Sequence, residues 1–206
     1  MTHDAGTHGA VPGDAGARAA GPPGAGAPGT AGWLVVVDLQ HVFGDSASPW
    51  AAPRFDEVLP RVRELAAAYG PRVVWTRFVA PRVPVGAWVE YYAQFPFALQ
   101  PPDAPLYGLV EDPGAHPVVT ATTFGKWGPD LAAVVGDGPL TVVGVATDCC
   151  VISTVLAAAD AGVPVRVVTD ACAGSGDEDQ ERALRVMGLY APLVELTTSA
   201  QVLAGH

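Results

Sequence analysis

Positive charge is scarce in this sequence. Its 206 residues hold 11 Lys and Arg against 21 Asp and Glu, a formal charge of -10. Such a surface repels polyanions, so neither nucleic acid nor an anionic membrane surface is an expected partner. Cysteine is also sparse. The three present include an adjacent pair, which is not the evenly spaced set of a disulfide scaffold, and neighbouring cysteines bridge only through a strained ring. A reduced, cytoplasmic protein is the expectation. No apolar run approaches the roughly 20 residues needed to cross a bilayer, and the N-terminus carries neither a basic region nor an apolar one of the kind that directs export. What remains open is a small-molecule partner.

Apolar residues, by contrast, make up half of the chain, enough for one sizeable core. They are unevenly spread. Residues 1–32 are almost entirely Gly, Ala, Pro and Thr and could not offset the entropy of ordering them, so a disordered tail is expected there and a folded domain over residues 33–206. From Trp33 the sequence WLVVVD reads as a strand buried on both faces. Further strands are expected at 72–76, 117–119, 140–145, 163–169 and 193–196. Helical spacing marks 54–69, 129–135, 151–161 and 181–190. About six strands alternating with helices predict an α/β fold: a three-layer, doubly wound sheet, mainly parallel, with helices on both faces. Ligands in such sheets bind beyond the carboxyl ends of the strands.

The rhythm breaks between Phe78 and His116, in FVAPRVPVGAWVEYYAQFPFALQPPDAPLYGLV and the residues just after it. So long an excursion with so many aromatic rings is expected to cover a site or another subunit. Trp88, Tyr92 and Phe95 are the candidate substrate-binding residues within it.

Three chemically different groups fall at the expected strand ends. Asp38 closes the first strand, Lys126 follows the third, and the Cys149–Cys150 pair follows the fourth. Singly, each has an ordinary reading: a turn carboxylate, a solvated ammonium, a small buried thiol. Together on a ligand-binding edge they can do chemistry. A carboxylate can take the proton of a thiol, an ammonium can hold charge nearby, and a thiolate can attack a carbonyl carbon.

The same segments resemble the isochorismatase-like cysteine hydrolases, which include nicotinamidases and N-carbamoylsarcosine amidases. The resemblance runs from Trp33 to about Leu203 and rests on VVVDLQHVF, TTFGKWGPDL and, most specifically, GVATDCCVISTVLAAADAG followed by VRVVTDACAG. It implies a catalytic triad of Asp38, Lys126 and Cys150. It also implies a cis peptide before Ala146, an oxyanion hole formed by the backbone amides of Ala146 and Cys150, and a homo-oligomer, dimer or tetramer. With Cys150 at a helix N-terminus, the backbone dipoles are expected to favour its thiolate, and Cys149 is expected to point away as a buried neighbour.

Departures from the family pattern bear on the substrate. Nicotinamidases of this family place an Asp and histidines after the second strand to hold a metal, whereas TRFVAPRVPVGAW contains no histidine. His41 and His116, the histidines outside the two ends of the chain, are too isolated to suggest a ligand set, so neither metal nor cofactor is expected. Arg77 and Arg82 are candidate partners for a substrate carboxylate. The expected function is hydrolysis of a small amide, carbamoyl or ureido C–N bond. Cleavage of a vinyl ether, as in the isochorismatase branch, and a non-catalytic thiol sensor are the alternatives.

Overall fold

A computed structural model describes residues 32–205 of the chain. The tail expected over residues 1–32 lies outside the described residues except for its last glycine. Six strands form a single sheet in the order β3-β2-β1-β4-β5-β6, and every pairing is parallel. They are β1 (Trp33–Val37), β2 (Val73–Phe78), β3 (Val118–Ala121), β4 (Leu140–Val145), β5 (Val165–Ala173) and β6 (Val194–Thr197). The sequence of helices is α1 (His41–Gly44), α2 (Phe55–Tyr69), α3 (Trp88–Gln94), α4 (Pro129–Val135), α5 (Ile152–Asp160), α6 (Asp177–Gly188) and α7 (Ser199–Ala204). None of the described helices is long and apolar enough to cross a membrane.

The β1 run shows why the sheet sits in the middle. Leu34 and Val36 join a core cluster with Phe55, Val62 and Leu65 of α2, while Val35 and Val37 join another with Leu131 of α4 and Val155 of α5. Successive side chains of a strand point to opposite faces, so a run without alternation needs apolar cover on both. α2 and α7 pack on one side and α4, α5 and α6 on the other.

Two elements differ from their sequence expectation. β5 continues four residues further, to Ala173, because after a shift in register Cys172 and Ala173 pair with Gly144 and Val145 of β4. α6 begins at Asp177, where Asp177, Glu178 and Asp179 occupy the first turn and complement the positive end of the helix dipole. That acidic run carries no apolar period, so spacing alone pointed to a later start.

The strand order switches direction between β1 and β4, which are hydrogen-bonded neighbours, and a crevice opens beyond their carboxyl ends. Their close approach there depends on Gly144. Its φ is +115°, and a Cβ at this position would lie 2.1 Å from the carbonyl oxygen of Val37. Gly144→Ala must therefore push the two strands apart or abandon the backbone conformation. It is expected to destabilise the fold by about 2 kcal/mol or more, lowering the thermal midpoint by roughly 4–8 °C. A melting curve equal to that of the unmodified chain would show that the contact is not needed.

Candidate active site

Asp38, Lys126 and Cys150 meet at the crevice. Asp38 is the first residue beyond β1 and has φ +51°, the one non-glycine residue among those described with a positive φ. This conformation is uncommon and is more accessible to Asp than to most residues. Its backbone N–H donates to Thr76 Oγ1 (3.2 Å), and the same hydroxyl donates to Asp38 Oδ1 (2.6 Å). Thr76 thus holds both ends of the aspartate from the neighbouring strand, β2.

The other carboxylate oxygen, Oδ2, stands 2.8 Å from Lys126 Nζ, and neither side chain has any exposed surface. Lys126 comes from the loop after β3. Its ammonium also donates to the carbonyls of Thr123 (2.7 Å) and Phe124 (2.8 Å), so three oxygens surround it. The Phe78 ring lies 5.6 Å from Nζ. One hydroxyl ties this loop to the nucleophile turn: Thr154 Oγ1 accepts from the Lys126 amide (2.9 Å) and donates to the Cys150 carbonyl (2.6 Å).

Cys150 lies in a π-turn over Thr147–Val151 that joins β4 to α5. The peptide bond between Val145 and Ala146 is cis. The Ala146 carbonyl accepts from the amides of Cys149 and Val151, both at 3.1 Å, which closes the turn on itself. The Cys150 side chain is buried and lies near enough to the Asp38 carboxylate and the Lys126 ammonium for both charges to act on it. Burial pushes this thiol well above the ordinary range for cysteine, the Asp38 charge pushes it further, and Lys126 pulls it back only in part. The expected dipole-stabilised thiolate is therefore corrected: burial first and the Asp38 charge next both raise the group, and the resting form is the thiol.

Cys149 also differs from expectation. It is half-buried and lines the same pocket as Cys150, so the roughly 100° between neighbouring side chains does not take it out of the site. Burial, with Asp148 beside it, pushes its thiol up to about 11. Asp148 is in turn held by Ser175, which donates its amide (2.8 Å) and its hydroxyl (2.5 Å). Gly174 is the neighbour that permits this contact, since a Cβ there would lie 2.9 Å from Asp148 Oδ1.

A cavity of about 150 Å³ opens above Cys150. It is lined by Phe43, Trp50, Phe78, Tyr91 and Phe124, with Ala146, Cys149, Cys150 and Ser175. The expected substrate-contacting set of Trp88, Tyr92 and Phe95 is corrected by α3. Tyr91 faces the cavity, whereas Tyr92, one residue and about 100° further round the helix, is buried in the core. Trp88 and Phe95 stand behind the lining: Trp88 packs on Phe124 (5.3 Å between centroids) and Phe95 on Trp50 (5.5 Å).

The long insertion is anchored over the site by buried polar contacts. Gln40 accepts from the Phe78 amide (2.8 Å) and donates to the carbonyls of Phe78 (2.9 Å) and Tyr107 (2.7 Å). Tyr107 donates its hydroxyl to the Ala98 carbonyl. Trp50 and Thr76 had no sequence signal as site residues; one sits in the polar stretch DSASPW, the other inside a strand run. A usable signal did exist for Lys126, the only lysine in the sequence.

The arginine and histidine candidates are not brought to this cavity. Arg77 lines a separate hollow of about 610 Å³ with Glu111 and Asp112, Arg82 is exposed, and His41 borders a third hollow of about 720 Å³. Both hollows are larger than the cavity above Cys150, yet neither contains a member of the triad.

The isochorismatase domain family model matches residues 32–201. No curated protein matches the chain. Among solved structures, the chain is similar to a cysteine hydrolase from Pseudomonas syringae pv. phaseolicola, with 19% identity and a TM-score of 0.72 over 84% of this chain and 91% of that one. It is likewise similar to a pyrazinamidase of Pyrococcus horikoshii in complex with zinc (26% identity, TM-score 0.66, covering 80% and 97%). A nicotinamidase from Acinetobacter baumanii aligns with 22% identity and a TM-score of 0.66, covering 82% and 96%. The segment after β2 has no His, Asp or Glu before Glu90, and among the described residues no three His, Cys, Asp or Glu side chains are grouped to hold an ion.

A buried ion pair that loses one partner leaves an uncompensated charge, at a cost of about 3–5 kcal/mol. Lys126→Met is therefore expected to destabilise the chain by that amount in urea denaturation. Adding Asp38→Asn to Lys126→Met should restore part of the loss. Retention of full stability by Lys126→Met would mean that Asp38 is not charged in the folded state.

Proposed function

The chain belongs to the isochorismatase family of hydrolases, and on that premise we propose that it cleaves a small-molecule amide, carbamoyl or ureido C–N bond through a thioester on Cys150. The observation that supports this most strongly is the placing of the buried Cys150 thiol beside the Asp38–Lys126 ion pair, at the floor of a cavity lined by aromatic rings.

The steps follow from where protons and charge reside. Asp38 takes the Cys150 proton as sulfur attacks the acyl carbon, so the thiolate exists only as it reacts. Negative charge develops on the acyl oxygen, and the backbone amides of Ala146 and Cys150 are the donors that receive it. The tetrahedral adduct collapses, the C–N bond breaks, and Asp38 returns its proton to the departing nitrogen. Water then attacks the thioester, giving Asp38 a proton that is passed back to sulfur as the S–C bond breaks. The ammonium of Lys126 stays protonated throughout and stabilises whichever of Asp38 or Cys150 is negative. The net change is addition of one water to one C–N bond, releasing an acid, or carbamate, and ammonia or an amine.

A panel of primary amides, carbamoyl and ureido compounds and isochorismate, followed for ammonia, amine or pyruvate release, tests the assignment. Release of ammonia or amine is expected, with Cys150→Ala lowering turnover by at least about 10² while the fold is retained. Pyruvate release from isochorismate that survives Cys150→Ala would replace this reading with vinyl ether cleavage.

A further inference from the structure

Among the described residues, none places a free positive charge in the cavity above Cys150. None of its lining residues is Lys, Arg or His. The cation beneath it, Lys126, is fully buried, ion-paired with Asp38 and hydrogen-bonded to the carbonyls of Thr123 and Phe124. A substrate carboxylate could not recruit that ammonium without breaking the pair on which Asp38 depends.

Negative charge does border the cavity. Asp148 accepts two hydrogen bonds from Ser175, a lining residue, and among the described residues it forms no ion pair with a cation. Asp148 and Asp179 both disfavour ionisation of Cys149, another lining residue. Asp179 is paired with Arg182 and Arg54 with Glu57 and Asp177, so these arginines are engaged outside the cavity. The remaining wall is Phe43, Trp50, Phe78, Tyr91 and Phe124 with Pro49, Ala51 and Ala146; its polar tips, the Trp50 indole N–H and the Tyr91 hydroxyl, are neutral donors, so it offers an anion no counter-charge.

We infer that this site selects substrates without an anionic group: an uncharged amide whose apolar part lies against Trp50, Phe78, Tyr91 and Phe124, with carboxylate-bearing compounds rejected. The inference rests on Cys150 as the reacting group and narrows the substrate class of that site. Selection works by repulsion and desolvation as much as by attraction, because a carboxylate entering here loses water, meets no counter-charge and approaches Asp148. Isochorismate and N-carbamoyl amino acids fall on the rejected side.

Two alkylating reagents of nearly the same size test this directly, iodoacetamide (neutral) and iodoacetate (anionic). The full chain carrying Cys149→Ala is used, so that Cys150 is the one pocket thiol, and labelling is followed by mass spectrometry. The ratio of the iodoacetamide rate to the iodoacetate rate, divided by the same ratio for free cysteine in the same buffer, is expected to be about tenfold or greater. Ser175→Arg, which places a guanidinium at the cavity wall, should bring the ratio towards unity. A normalised ratio near or below one in the Cys149→Ala chain would overturn the inference.

Substrate pairs keep this separate from the hydrolase assignment. Benzamide should be hydrolysed, or should protect Cys150 from iodoacetamide, at concentrations where 4-carbamoylbenzoate does neither. Turnover of both compounds at similar kcat/KM would leave the amidase reading standing and defeat the selectivity. A high alkylation ratio with no amide hydrolysed would defeat the amidase reading and leave the selectivity.

Discussion

The buried pair of Lys126 and Asp38 is the constraint around which the rest of the site is arranged. Removing both charges from water costs several kcal/mol per ion, and a 2.8 Å contact repays it only if the remaining polar atoms are satisfied as well. The carbonyls of Thr123 and Phe124 accept hydrogen bonds from the ammonium, and the Thr76 hydroxyl donates to Oδ1 of the carboxylate, which leaves Oδ2 to the ion pair alone. These partners come from the loop after β3 and from β2. Assembling the pair thus fixes the ends of three neighbouring strands relative to one another. Thr154 extends the constraint to the nucleophile by joining the Lys126 amide to the Cys150 carbonyl. With the carboxylate kept negative by its lysine, a desolvated Cys150 beside it is better left protonated. Thiol and base are then one proton transfer away from the reactive state, at the moment a substrate carbon is in reach.

The sheet supplies the geometry that chemistry alone could not. Parallel strands all finish on one edge, so residues separated in sequence by nearly ninety positions, Asp38 and Lys126, arrive within a hydrogen bond of each other. Gly144 lets β4 run close against β1 where the crevice opens, and the turn after β4 then delivers Cys150 beneath it. The insertion after β2 completes the enclosure from above. Gln40 and Tyr107 hold it by buried backbone contacts, and rings from three segments, Trp50, Tyr91 and Phe124, form the cover. A covered, water-poor pocket strengthens each electrostatic contact within it and, for the same reason, makes an unpaired anion unwelcome.

Much of this was legible in the residues themselves. Continuous apolar runs such as WLVVV and LTVVGV can only be strands covered on both faces, which set the parallel sheet and hence the edge where Asp38, Lys126 and Cys150 belong. What could not be read is what depends on rotation and on partners distant in sequence. Helical spacing marks α3 as amphipathic but does not say that Tyr91, and not Tyr92, turns towards the thiol. Adjacent cysteines on a helical turn are about 100° apart, and the sequence alone does not say that the cavity is wide enough to be lined by both. A helix N-terminus argues for a thiolate, whereas the depth of burial at Cys150, which decides the matter, belongs to the folded chain. Thr76 and Trp50 gave no local signal because their roles exist only once β1 and β2 are side by side and the insertion is closed.

The chemistry of the resting site turns on where one proton resides: on the sulfur of Cys150, with Asp38 ionised by Lys126. Difference infrared spectroscopy of the unmodified chain against Cys150→Ala at neutral pH measures this directly. An S–H stretching band that disappears in the variant is expected, with the Asp38 carboxylate signal present in both. Absence of that band from the unmodified chain, together with a protonated carboxylic acid C=O band that Asp38→Asn removes, would place the proton on Asp38 and contradict this assignment.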